Sequence, residues 1–281
     1  MDLSSGDYAP SGDGVIAPPD DFYYASLYLA PPVRHTLRVM EACRRAVTDI
    51  PGSCSDRGIA HLKLAWWQTE IEQLAQGHAR HPLAQALLTQ LRITPALLPL
   101  LDNVLKATID GLNQAPLPDR AAQIAWLTRQ QGSVLGYYIE VGAAVSARQR
   151  EQLLEVGALL ELSYALRGLR QHRRATPLLL PDQALRAAGL SVDGVRGASV
   201  STEIAKVLIP QADSLRDALL ARSAALPRAV RRGQRLLLTL AACAAEALAL
   251  TRADGCQVLE QRVELLPIRK LWLAWRIAHW G

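Results

Sequence analysis

The chain has 281 residues, half of them hydrophobic, and a formal net charge of +5. Its 31 basic residues include only four lysines (Lys63, Lys106, Lys206 and Lys270), so 27 are arginines, a bias that suits phosphate binding or, more blandly, solvated helix faces. The apolar share is ample for a buried core. Cys43, Cys54, Cys243 and Cys256 form neither a CxxC pair nor a Cys/His metal spacing, which excludes a cysteine metal centre and fits reduced, buried thiols.

Residues 1–21 are acidic and rich in Gly, Pro and Ser, without the basic start or apolar stretch of a signal peptide, and are expected to form a disordered leader. Beyond them, apolar residues recur at three- and four-residue spacing with almost no strand-like alternation. Helices are predicted over 22–29, 33–49, 57–76, 80–91, 95–109, 118–130, 132–145, 147–172, 199–224, 228–253 and 268–279. Prolines and glycines mark the breaks, notably Pro31-Pro32, Pro51-Gly52, Pro116 to Pro118 and Pro177 to Pro181. Residues 182–198 read as a loop with one short helix. The apolar run from Leu236 to Leu250 contains Glu246 and is too short for a membrane span, so it reads as a core helix. The prediction is one all-α domain over 22–281.

Four segments carry a family pattern. Residues 21–52, DFYYASLYLAPPVRHTLRVMEACRRAVTDIPG, give an aromatic-rich helix, a proline turn and a helix with Arg45 ahead of Asp49. Residues 64–87, LAWWQTEIEQLAQGHARHPLAQAL, give a tryptophan pair, a glycine and then His-Pro. Residues 136–145, GYYIEVGAAV, and 261–275, QRVELLPIRKLWLAW, follow in order. Together these resemble the squalene/phytoene synthases. The resemblance implies an isoprenoid synthase-like helical bundle around a central cavity, in which two prenyl diphosphates condense head to head. It also implies Mg²⁺ as cofactor of a working enzyme, held between two aspartate-rich helices, because a hard octahedral cation takes carboxylate and phosphate oxygens.

This chain departs from that pattern where the metal would bind. The family's first motif has acids at positions equivalent to 48, 49 and 52, and here stand Thr48, Asp49 and Gly52. Its second motif has Asn, Asp, Glu and Asp where this chain has Tyr164, Gly168, Gln171 and His172, with Arg167 kept. A Ser-x-Ser-Phe element appears as Pro19-Asp20-Asp21-Phe22. Each 1.36 kcal/mol of lost transition-state stabilisation is about tenfold in rate, so losing the metal clamp predicts a degenerate enzyme with no cofactor. The alternative is an active prenyltransferase with unusual ligands, drawing on Glu140 and Glu161.

Candidate substrate-binding residues are Arg45, Asp49, Tyr138, Arg167, Arg170 and Arg174, with Asp49 the one residual metal ligand in an incomplete site. Asp49 has a second reading, as a turn residue before Ile50–Ser53. Arg167, Arg170 and Arg174 share a helical face and could bind a diphosphate or an anionic lipid, or complement the helix dipole. Trp66 and Trp67 read as packing residues. Gly136, Gly142, Ala143 and Ala144 are expected to line a pocket beside Tyr138, with the arginines at its mouth. The expected partner is an isoprenoid diphosphate or long-chain lipid. Nucleic acid is excluded, because the aromatics lie in apolar helices rather than among exposed arginines. By resemblance, family members with eroded aspartates serve as assembly factors for respiratory complex I, so a protein partner is a further expectation. The expected location is cytoplasmic, extending to peripheral contact with the inner membrane.

Overall fold

Helix starts fall where the sequence offers caps. Asp20 accepts from the Phe22 N–H at 2.8 Å and opens α1 (Asp21–Ala25); Pro31 and Pro32 open α2 (Pro31–Thr48), where a missing N–H costs nothing. A single turn, α3 (Ile50–Ser53), follows, and Asp56 caps α4 (Arg57–Ala75) through Gly58 and Ile59. The His81 ring caps α5 (Pro82–Leu91) by accepting from Leu83, and α6 (Leu97–Gly111) leads to α7 (Arg120–Gly142), capped by Asp119. Ser146 and Gln149 form a reciprocal capping box on α8 (Ala147–Arg167), which ends at Gly168.

The second half comprises α9 (Leu169–His172), α10 (Asp182–Ala187), α11 (Val192–Gly197), α12 (Thr202–Ala225), α13 (Arg228–Gly233), α14 (Arg235–Ala253) and α15 (Pro267–Trp280). This computed structural model describes residues 16–54, 56–92, 94–173, 175–197 and 202–280, and among them there are fifteen helices and no strand. The all-α expectation holds.

Helices α7, α8, α12 and α14 pack on one another around the main core, α2 packs on α5 and α6, and α15 lies across α14 and α1. Helix α14 has the length and apolarity of a membrane span. Most of its leucines and alanines are nonetheless buried against its neighbours, Leu250 being an exception, so it is the core helix the sequence suggested. Residues 120–142 form one helix rather than the two predicted, since Gln131 and Gly132 do not interrupt it. Conversely, 147–172 breaks at Gly168, and 182–198 holds two short helices instead of one.

The predicted leader is also corrected at its end. Ile16 is buried and Asp20 belongs to the first cap, so residues 16–21 of the stretch assigned to the leader are part of the fold, and residues 1–15 lie outside the described residues.

Candidate functional site

Between the C-terminal end of α2, the α8–α9 junction and the segment from Ala175 to Leu180 lies a cavity of about 580 Å³. Its wall is completed by the strap from Ala17 to Asp21 and by Arg262, Glu264 and Lys270. Thr48 and Asp49 face Tyr164, Gly168, Gln171 and His172 across it, so the register read from the sequence brings the two degenerate motifs to one place. Turns α3 and α9 touch directly. A β-carbon on Gly52 would lie 3.0 Å from His172 Nδ1, so the imidazole occupies room that an acid at 52 would need.

Beneath the wall, Glu41 is the hub of an ion-pair network. It is 3 % exposed, and its carboxylate accepts from Arg44 Nε and Nη2, both at 2.8 Å, from Arg45 Nε at 2.6 Å and from Tyr138 Oη at 3.0 Å. Burial alone would raise its pKa, but the two guanidiniums outweigh it and hold the carboxyl at about 2. Arg44 also reaches Glu161 at 3.2 Å and Gln131 at 2.9 Å, while Arg45 pairs with Asp20 at 2.5 Å. Lys270, 1 % exposed, binds Asp21 at 2.6 Å, the Pro19 carbonyl at 2.6 Å and Glu264 at 3.4 Å. Arg262 pairs with Glu264 at 2.8 Å.

Four of the five wall carboxylates therefore carry a cation of the chain's own: Asp20, Asp21, Glu161 and Glu264. Asp49 is the exception, making no contact ion pair among the described residues. Burial pushes its pKa up, with His172, Arg44 and Arg45 acting against that rise. Its side chain makes no capping bond either; only its carbonyl takes part in the turn, accepting from Ser53 N. Glu161 is likewise raised by burial, against the pull of Arg44. Among the described residues no three His, Cys, Asp or Glu side chains come together to hold a metal ion.

The remaining candidates scatter. Arg45 lies in the wall. Arg167 is not itself in the wall; it is 2 % exposed, donates to the Val263 carbonyl at 3.2 Å and lies 3.9 Å from Asp21, a wall residue. Its Nε and Nη1, and the hydroxyl of Tyr164 in the wall, are buried without a hydrogen-bond partner among the described residues. Arg170 points outward to the Glu260 carbonyl, so Arg167 and Arg170 do not come together at the mouth, and Arg174 lies outside the described residues.

Tyr138 lies outside the wall of the larger cavity. It lines a second, mostly apolar cleft of about 50 Å³ between α7, α8 and α14, where it serves Glu41. Gly136 and Gly142 line neither cavity: side chains there would collide with the Arg150 guanidinium and the Gly233 carbonyl. Glu140 is exposed, 3.7 Å from Arg150, and does not join Glu161. Trp67 packs against the His81 ring at 4.9 Å while Trp66 is half-exposed, consistent with packing. Sequence reading missed Glu41, Arg44 and Lys270. A signal was present for the first two, since a glutamate three and four residues ahead of two arginines on one helix is placed to pair with both.

A family model described as squalene/phytoene synthase matches residues 19–269. A dehydrosqualene synthase in complex with ligand superimposes with a TM-score of 0.68 over 95% of this chain and 93% of that one, at 14% identity. Squalene synthase HpnC from Alicyclobacillus acidocaldarius superimposes with a TM-score of 0.58 over 84% of this chain and 89% of its own, also at 14% identity. Comparison with curated proteins finds no match.

Proposed function

The chain belongs to the squalene/phytoene synthase family, and from that premise we propose that it has lost head-to-head condensation and uses its cavity to bind an isoprenoid or other long-chain lipid. The observation that carries this reading is the pairing of the wall. Four carboxylates are matched by Arg44, Arg45, Arg262 and Lys270, and Asp49 alone is left to face a metal. A Mg²⁺ clamp needs several carboxylate oxygens that are not already bound to cations. These residues do not fit that requirement. His172 packed on Gly52 also takes space from the first motif.

A cavity of about 580 Å³ is in the usual range of about 300–1,000 Å³ for a bound small molecule. Its polar groups suit a ligand with one polar end. The Tyr164 hydroxyl lacks a partner among the described residues, and an unmade hydrogen bond at a buried donor costs about 1–3 kcal/mol. A hydroxyl or phosphate oxygen accepting from Tyr164 offsets that cost. Burial pushes the Tyr164 pKa well above the ordinary value, which keeps the phenol a donor.

Thermal-shift titration with farnesyl diphosphate and with farnesol, each with and without EDTA, tests the reading. Expected is stabilisation unaffected by EDTA and weakened by Tyr164→Phe. Stabilisation by the diphosphate only when Mg²⁺ is present would overturn the proposal. So would the absence of a shift with either ligand, which would leave a role in binding or assembling a protein partner.

A further inference from the structure

Helix α15 turns its apolar face the wrong way for a helix of the core. At 100° per residue, Ile268, Leu271, Trp272, Trp275 and His279 fall on one arc of its surface. That arc points outward: Ile268 is 70 % exposed, Leu271, Trp272 and Trp275 are each 38 % exposed, and Trp280 beyond them is 69 % exposed. The opposite arc, with Lys270, Leu273 and Ala274, is buried.

The exposed aromatics form a continuous patch. Trp275 lies 5.1 Å from both Trp280 and His279, and His279 lies 5.7 Å from Tyr28 in the loop after α1. Arg269 and Arg276 stack on Trp272 at 4.3 and 4.6 Å along one flank. No acidic residue occurs between Leu265 and Trp280, a stretch that carries Arg269, Lys270 and Arg276. Glu246 of α14 pairs with Arg269 at 2.6 Å and Asp21 of α1 pairs with the buried Lys270 at 2.6 Å, so Arg276 dominates the charge the patch displays.

We propose that this face lays α15 flat on the surface of an anionic lipid bilayer. Indole rings combine a large apolar area with one polar N–H and concentrate at the level of lipid headgroups, where flanking arginines meet lipid phosphates. A second copy of the chain is a poorer occupant. A two-fold contact through this face would bring the basic flanks of two copies together, with no acid on the helix to offset Arg276. The docked helix also has a cavity on its other side, since Lys270 on the inner arc is part of the cavity wall. Membrane and cavity are thus separated by about one helix diameter, about 10 Å. The proposal rests on the outer face and holds whether or not the cavity is filled.

The test is flotation of the full chain, with no isoprenoid added, with vesicles of phosphatidylcholine alone and with added phosphatidylglycerol. Tryptophan emission and its quenching by brominated lipid are read in parallel. Expected is a blue shift with quenching and stronger flotation with phosphatidylglycerol. Arg276→Gln is expected to weaken binding about fivefold on the anionic vesicles only. Trp272→Ser with Trp275→Ser is expected to weaken it about tenfold or more on both, with far-ultraviolet circular dichroism of the variant read alongside to show that the helical fold is retained. Absence of flotation by the native chain overturns the proposal. So does sedimentation showing a dimer that the double tryptophan variant dissociates while vesicle binding is absent. Neither result bears on the farnesol titration, so failure here and failure of the cavity reading are separate outcomes.

Discussion

Replacing Glu41 by glutamine keeps the shape of the hub and removes the charge that Arg44 and Arg45 share. The magnitude follows from the carboxyl itself. Its pKa falls from an ordinary 4.5 to about 2 in the fold, and at about 1.36 kcal/mol per unit that gap is worth about 3 kcal/mol. Removing one partner of a buried ion pair costs about 3–5 kcal/mol in general, which agrees. In a domain of this size each 1 kcal/mol moves the melting point by about 2–4 °C, so Glu41→Gln should melt about 6–12 °C lower at pH 7. The pH dependence has a definite sign. A carboxyl with a depressed pKa contributes its full stability above the unfolded value of 4.5 and loses it as pH falls toward about 2. Calorimetry on both proteins should show the gap intact at pH 6–7 and closing through that window. A variant within about 2 °C of the native protein at pH 7 would refute the claim that this network is structural.

Glu161 has a pKa raised by burial, so its ionisation costs stability as pH climbs above the ordinary value of 4.5. Glu161→Gln should therefore be neutral or stabilising at pH 7–8 in thermal melts, and a drop of several degrees would mean that the Arg44 pair outweighs desolvation. Gly52→Asp should cost about 1–3 kcal/mol by crowding the His172 ring, and His172→Ala should recover much of it. Strictly additive effects in a urea-denaturation double-mutant cycle would contradict that contact. All four cysteines are buried, and burial pushes the Cys43 and Cys243 thiols up to about 12, so iodoacetamide should label them only in denaturant. Rapid native labelling of Cys43 would show that the core beside α2 opens.

The fold was legible because the punctuation is local: Asp20, Pro31, Asp56 and Ser146 open helices by chemistry that lies within a few residues of each cap. The motif register was legible too, since Thr48 and Asp49 of the first motif and Tyr164, Gly168, Gln171 and His172 of the second line one cavity. What sequence could not supply is where side chains meet across the bundle. Lys270 meets Asp21 from the far end of the chain, and Arg44 meets Glu161 from another helix. The same gap misplaced Tyr138, whose hydroxyl is taken by Glu41 rather than by the larger cavity. It misplaced Gly136 as well, whose missing side chain makes room for Arg150 rather than for a ligand. Arg167 and Arg170 share a helical face by spacing, but the break at Gly168 separates them, one going to the interior and the other to solvent.

The central claim is that the family's cavity is kept while its metal-dependent condensation is lost. Incubating the purified protein with farnesyl diphosphate, and separately with geranylgeranyl diphosphate, in Mg²⁺ and analysing the extracted hydrocarbons tests it most directly. The account predicts no head-to-head product above the protein-free control; accumulation of such a product, abolished by Asp49→Asn, would contradict it.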